Sequence, residues 1–261
     1  MSGGPVAEGG STLARVVGGL ARQLEKLAAH AQGKGYGTAT IARENALVHQ
    51  LLGRTPQLAA DIGGNVGEYS AELRRRHPQL EIHVFEPSAT NQARLRSRFA
   101  GDASLTVVPM AVSDAAGEAT LYADEAGSGM GSLVQRDLQH RGLAFDTRET
   151  VRVIRFEDYW RNSLGSRALD IVKLDIEGFE LAALQGFGPA LEATAVLQFE
   201  FGGCNIDTRS CFRDFWALFQ QRGFALYRIT PFGLDRLRRY RESDEFYSTT
   251  NYVARNEARA G

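Results

Sequence analysis

Apolar residues recur along this chain with two different periods. Leu13, Val16, Val17, Leu20, Leu24 and Leu27 fall three, four and seven apart, the spacing of one helical face. Ser11 or Thr12 can cap that helix, while Gly18-Gly19 weakens it by about 1 kcal/mol per glycine relative to alanine. Its apolar stripe predicts burial against the main domain, a second copy of the chain or, third in order, a membrane surface. Gly33-Lys34-Gly35-Tyr36-Gly37 then reads as a linker, and a short helix over 41–52 follows.

From Leu58 the pattern changes to short apolar runs separated by helical stretches. Strands are predicted at 58–61, 83–85, 105–108, 118–122, 151–154, 171–175, 195–201, 224–229 and 251–254. Helices are predicted to start or run at 68–77, 89–99, 156–160, 177–184 and 212–221, with a helical stretch at 136–141. Strands alternating with helices imply an α/β domain, its mainly parallel sheet covered on both faces. The chain divides into an N-terminal helical extension and linker, 1–45, and a main domain, 46–256. Residues 1–10 show no periodicity and are expected to be disordered.

Composition narrows the classes. The 261 residues carry 43% hydrophobic and 23% charged side chains with a net charge of -1, ordinary for a globular protein and unlike a general polyanion binder. Arg74-Arg75-Arg76 and the cluster from Arg236 to Arg241 therefore read as solvated faces, and no nucleic-acid partner is expected. No apolar run approaches the ~20 residues of a membrane span, and no signal peptide is visible. Cys204 and Cys211 are too few for a disulfide framework, so a reduced, cytoplasmic protein is expected.

The chemistry concentrates in Asp61-Ile62-Gly63-Gly64-Asn65-Val66-Gly67-Glu68-Tyr69-Ser70. A strand, a glycine turn and a helix bring backbone amides close to a small ligand. Asp61 precedes the glycines, where a pyrophosphate site would avoid negative charge. It suits the ammonium of the methionine part of S-adenosylmethionine, whose carboxylate the turn amides can take. Glu86 ends the next strand and can accept ribose hydroxyls, and Ala111-Val112 can flank an adenine. Tyr69, Ser70 and Pro87 complete the predicted cofactor set. Ile62 occupies the first glycine position of a dinucleotide fingerprint, which makes a dehydrogenase a weak competitor.

Three blocks carry a family resemblance: the Asp61–Ser70 motif, Val84-Phe-Glu-Pro and Ile171-Val-Lys-Leu-Asp-Ile-Glu-Gly-Phe-Glu. They resemble the signature blocks of the FkbM family of S-adenosylmethionine-dependent methyltransferases, over roughly residues 55–255. The resemblance implies a class I methyltransferase, Rossmann-like fold with a mostly parallel seven-stranded sheet and an antiparallel strand. It also implies O-methylation of a sugar, glycan or glycosylated natural product, with the cofactor carried by Asp61, Gly63, Asn65, Gly67 and Glu86.

Catalysis is assigned to Lys173, Asp175 and Glu177. A lysine inside an apolar strand needs an acid partner, and two residues apart on a strand Lys173 and Asp175 share a face. Asp175 stands at the strand end, where it can orient the acceptor hydroxyl or take its proton, and Glu177 can do the same. Asp175 and Glu200, with Glu177, can alternatively gather a divalent cation, although nothing in their spacing demands one. Glu200, Asn205 and Ser132 are the predicted acceptor contacts. His140 is expected to be solvated, Trp160, Trp216 and Tyr240 to pack in the core, and both cysteines to be inert. Two rival readings are a metal-assisted methyltransferase of a non-sugar small molecule, and a cofactor-binding module that docks a partner or a second copy through its N-terminal helix.

Overall fold

The computed structural model describes residues 12–36 and 40–259. The cap expected at Ser11, the disorder expected over 1–10 and the linker's Gly37 lie outside them. Thr12–Ala31 forms α1 and Ile41–Leu52 forms α2. Then come β1 (Leu58–Ile62), α3 (Glu68–Arg76), β2 (Glu81–Phe85), α4 (Ala89–Arg98) and β3 (Leu105–Val108). An excursion follows as β4 (Ala111–Ser113), β5 (Gly117–Ala123) and β6 (Thr147–Arg155). The chain returns through α5 (Phe156–Asn162), β7 (Leu169–Leu174), α6 (Glu180–Gln185), α7 (Pro189–Glu192) and β8 (Thr194–Phe201). It closes with α8 (Cys204–Asp207), α9 (Phe212–Gln221), β9 (Phe224–Thr230), β10 (Gly233–Leu237) and β11 (Thr250–Asn256).

The main sheet runs β10-β9-β11-β8-β7-β1-β2-β3, parallel from β3 across to β8 and antiparallel where β11 enters between β8 and β9. The expected fold class is the observed one, with a correction: the sheet has eight strands, not seven. The additional strand is β10, whose Gly-Leu-Asp-Arg-Leu carries too little alternation to read as a strand; it pairs with β9 at the sheet edge. Residues 111–113, which follow the predicted third strand, form β4 in a separate three-stranded sheet with β6 and β5.

Each central strand is buried on both faces, as parallel strands under two helical layers must be. On one face Leu58, Ala60, Ile62, Val172 and Leu174 pack with Phe85, Phe156 and Phe187. On the other, Ala59, Ile171 and Val196 pack under Val48 of α2 and Leu73 of α3. The second face turns polar toward the strand ends. Asp61 pairs in register with Lys173, and Lys173 with Gln198, so three buried polar side chains stand in a row across β1, β7 and β8. Asn251 on β11, opposite Glu200, reaches the row diagonally by accepting a hydrogen bond from Gln198.

Two helix boundaries depart from expectation. The helix expected from Glu177 begins at Glu180, because Glu177 and Gly178 sit at φ +55° and +106° in a turn. Glu180, fully buried, fastens that turn by accepting the amide hydrogens of Ile176 (2.9 Å) and Gly178 (3.0 Å). The stretch 136–141 forms only a single 3₁₀ turn, Gln139–Arg141. The boundary expected at 45/46 falls inside α2, which lies on the main sheet, whereas α1 leaves its apolar residues exposed. Between them, Gly33 (φ +84°) crosses the end of β9 so closely that a Cβ would lie 2.2 Å from the Ile229 carbonyl oxygen.

Candidate active site

The glycine turn is shaped first by its own chain. Gly63 (φ +86°) lies where a Cβ would stand 1.8 Å from the carbonyl oxygen of Asp175, so the turn after β1 is locked against the end of β7. Gly64 abuts Val84, and Gly67 (φ +81°) abuts Phe99 and Leu95. The amide hydrogens of Gly63 and Gly64 are both given to the carbonyl of Phe85. Asn65 adopts φ +47° and its side-chain Oδ1 is buried without a partner, an orphaned acceptor that suits a donor group on a ligand.

Asp61 is buried and accepts a hydrogen bond from Ser70 Oγ at 2.5 Å. Burial pushes its carboxyl up, against the pull of Ser70 and Lys173, so a cationic group beside it would be favoured. Glu86 is buried too, and its two oxygens accept the amide hydrogens of Asn65 (2.7 Å) and Ser88 (2.8 Å). Burial still pushes it up to about 7.

Lys173 behaves as an embedded lysine should. Its Nζ is 2.6 Å from Asp175 Oδ2 and lies over the Tyr69 ring. Burial is the largest single influence and would lower its pKa, but Asp175, Glu44 and Glu200 together outweigh burial and hold it above the ordinary lysine range. Tyr69 donates to Gln198 Oε1 (3.1 Å), and Gln198 donates to Glu44 (2.6 Å) and Asn251 (3.2 Å). This buried hub joins α2, α3, β8 and β11 behind the cofactor turn.

Beyond Asp175 the acids are less well partnered. Glu177 Oε2 receives Arg136 Nη1 at 2.7 Å, and Arg136, itself buried, also reaches Asp207 at 3.3 Å. Burial, then the Asp175 charge, push Glu177 up to about 7 despite Arg136. The Glu200 carboxylate makes no hydrogen bond or ion pair among the described residues. Burial, Asp175 and Glu177 push it well above the carboxylate range. Ligating atoms of Glu177, Glu200 and Cys204 all lie within 4.8 Å of one another. Burial and the neighbouring acids push the Cys204 thiol strongly up, which keeps it protonated and a poor metal ligand.

Three cavities meet at these acids. A small apolar one is lined by Phe85, Pro87, Met110, Ala111, Val112 and Leu121, with Asp175 and Glu177 in its wall. A polar one of ≈ 190 Å³ is lined by Glu44, Asp61, Asn65, Tyr69 and Lys173, with Asp175 and Glu200 in its wall. The third, ≈ 540 Å³, opens outward past Arg136, His140, Asp207, Tyr247 and Thr249, with Glu177 and Glu200 at its inner end. Asp175 thus belongs to the first two cavities, Glu177 to the first and third, and Glu200 to the second and third.

Most predicted site residues gather here, and a few stand apart. Gly67 and Ser70 support the turn from behind. Ser132 is buried and donates to the Glu177 carbonyl (2.8 Å), holding the acid's backbone rather than lining a cavity. Asn205 is a correction: it is fully buried in α8, accepts the Gly202 amide hydrogen (2.8 Å) and lines none of the three cavities. The Gly-rich stretch around it reads as an open loop only until the 204–207 turn folds it inward. His140 is exposed, while Trp160 is buried and Trp216 and Tyr240 are packed on the core, as expected. Sequence reading missed Arg136, Glu44, Gln198 and Asn251, which meet their partners only through the fold.

The model of the FkbM methyltransferase domain matches residues 61–226, more than half of the chain. The chain belongs to the FkbM methyltransferase family. Among curated relatives, "Methyltransferase 1" of Beauveria bassiana is 29% identical over 48% of this chain and 56% of its own length. The "2-O-methyltransferase NoeI" of Sinorhizobium fredii is 22% identical over 68% of this chain and 76% of its own. The chain thus spans little more than half of the first relative and about three quarters of the second. Among solved structures, the plantazolicin methyltransferase BamL, in complex with S-adenosylhomocysteine and a substrate analogue, aligns with a TM-score of 0.48 at 11% identity, covering 94% of this chain and 91% of that one. Precorrin-6y C5,15-methyltransferase from Geobacter metallireducens aligns at 0.42 and 10%, covering 82% and 87%. Within the FkbM match fall the glycine turn, Glu86 and the whole Lys173–Glu180 block.

Proposed function

We propose that this FkbM-family methyltransferase moves a methyl group from S-adenosylmethionine to a hydroxyl of a sugar, glycan or glycosylated natural product. The observation that carries the reading is the meeting of three cavities at Asp175, Glu177 and Glu200. Phe85, Pro87, Ala111 and Val112 offer an apolar slot suited to the nucleoside base. Asp61 and the orphaned Asn65 Oδ1 offer acceptors to the ammonium of the amino-acid part. Glu86 fixes the turn through Asn65 and keeps unused lone pairs for ribose hydroxyls. When bound, the cofactor supplies an already activated methyl on a sulfonium, so the protein's task is alignment and proton management.

Asp175, held by Lys173, orients the acceptor hydroxyl. Glu177, poised at about 7 between burial and Arg136, takes its proton, a contribution typically worth ~10²–10⁴-fold. The outward cavity is rich in hydrogen-bonding side chains, which suits a polyhydroxylated acceptor, and the similarity to a 2-O-methyltransferase supports transfer to oxygen. The rival metal-assisted mechanism has one observation in its favour, the Glu177–Glu200–Cys204 grouping. A cation there would compete with the Arg136 charge beside Glu177 and require the raised Cys204 thiol to be deprotonated, so chelation is expected to leave turnover unchanged.

Calorimetry with S-adenosylhomocysteine tests the cofactor. A methyl-transfer assay over sugars, nucleotide sugars and lipid-linked glycans tests the acceptor. No binding at millimolar ligand sinks the first part, and transfer only to non-hydroxyl acceptors sinks the second.

A further inference from the structure

The active site uses neither α1 nor the arginines at the edge of the main sheet. In α1, Val16, Val17, Leu20, Leu24 and Leu27 are each 54–68% exposed, so the main domain does not cover them. At 100° per residue these side chains, with Ala21 and Ala28, sweep about 140° of the helix circumference. That is broader than the narrow seam of a two-stranded coiled coil. Arg15, Arg22 and Lys26 lie on the opposite face, with Glu25 the only acid of the helix.

Directly past the helix end, Gln32 and Lys34 line a cavity of ≈ 610 Å³ whose other wall is Arg236, Arg238, Arg239 and Arg241 with Asp235. This cluster differs from Arg74-Arg75-Arg76, whose members are paired with Asp102 and Glu72. Arg236 is paired with Glu257, but the guanidinium groups of Arg238 and Arg239 have no hydrogen bond or ion pair among the described residues. On a chain of net charge -1 this is a concentrated positive edge adjoining an uncovered apolar helix.

We propose that α1 and the Lys34–Arg241 edge together dock the protein on an anionic membrane surface. The apolar face of α1 enters the headgroup boundary and the arginines meet lipid phosphates, two weak attachments that reinforce each other. Charge favours this occupant over a second copy. Parallel pairing of two α1 helices would bring the two arginine edges together, whereas an anionic surface neutralises them.

Sedimentation of the full chain with vesicles of phosphatidylcholine alone, or with about 30% phosphatidylglycerol, tests the proposal. Binding is expected only to the anionic vesicles and should fall steeply between about 0.1 and 0.5 M salt. Leu20→Glu with Leu24→Glu should lower partitioning at least tenfold. Arg238→Glu with Arg239→Glu should lower it by about fivefold or more per charge. Unchanged S-adenosylhomocysteine affinity in both variants shows that the fold and the cofactor site are intact, independently of the docking result. Equal binding to neutral vesicles, absence of binding to anionic ones, or a lipid-free dimer that Leu24→Glu dissociates would overturn the proposal.

Discussion

The carboxylates at the ends of β1 and β2 differ from those beyond β7 and β8. Asp61 has the Ser70 hydroxyl, and each oxygen of Glu86 has a backbone amide. Glu177 has one guanidinium shared with Asp207, and Glu200 has no partner among the described residues. Asp61 and Glu86 are buried and Glu177 and Glu200 half-buried, yet all four are pushed upward, so the direction of the shift does not distinguish them. Partners do. The first pair is held in a fixed geometry by its hydrogen bonds and the second is left freer to move a proton, which is how a protein separates gripping a ligand from acting on one.

The sharpest way to break this division is Glu177→Gln. Turnover should fall ~10²–10⁴-fold while S-adenosylhomocysteine affinity changes little. A joint loss of both would place Glu177 on the gripping side. Next in size, Glu86→Ala strands the amides of Asn65 and Ser88, at a cost of about 1–3 kcal/mol for each buried group left unpaired. Cofactor affinity and melting temperature should drop together, measured by calorimetry and thermal unfolding.

How much of this contrast the chain announces depends on distance along it. Asp61 with its glycines, Glu86 after its strand and the Lys173–Asp175 pair are readable because each motif is local, and Lys173 bonds an acid two residues away. Arg136 is 41 residues from Glu177, and Gln198 is 154 from Glu44. Nothing in either neighbourhood marks the other. Asn205 misleads for a related reason: a Gly-Gly-Cys-Asn stretch looks like an exposed turn, and only the tertiary fold seals it. β10 escapes because edge strands need little apolar alternation.

Two smaller effects would sharpen the contrast. Arg136 draws Glu177 down toward ionisation, so Arg136→Gln should move the acid limb of the pH–rate profile to higher pH. An unmoved profile would assign the proton to another group. For stability, burial pushes Glu86, Glu177 and Glu180 up to about 7 in the folded protein, above the ordinary 4.5. Between those values the folded state holds protons that the unfolded chain has lost, so stability falls as pH rises through that window. The ligand-free protein is therefore expected to melt lower at pH 8 than at pH 6. Glu200→Gln, which removes a half-buried carboxylate with no hydrogen-bond partner, should raise the melting temperature at pH 8 by about 2–4 °C.

The contact between Gly63 and the Asp175 carbonyl has a consequence for the order of events. With no room for even a methyl group between them, the turn after β1 cannot shift without carrying the end of β7 along. A ligand that seats itself in the turn thereby sets the stance of the acid awaiting the second. In steady-state terms an ordered sequence is expected, with the cofactor binding first and its demethylated form leaving last, which product-inhibition kinetics would check.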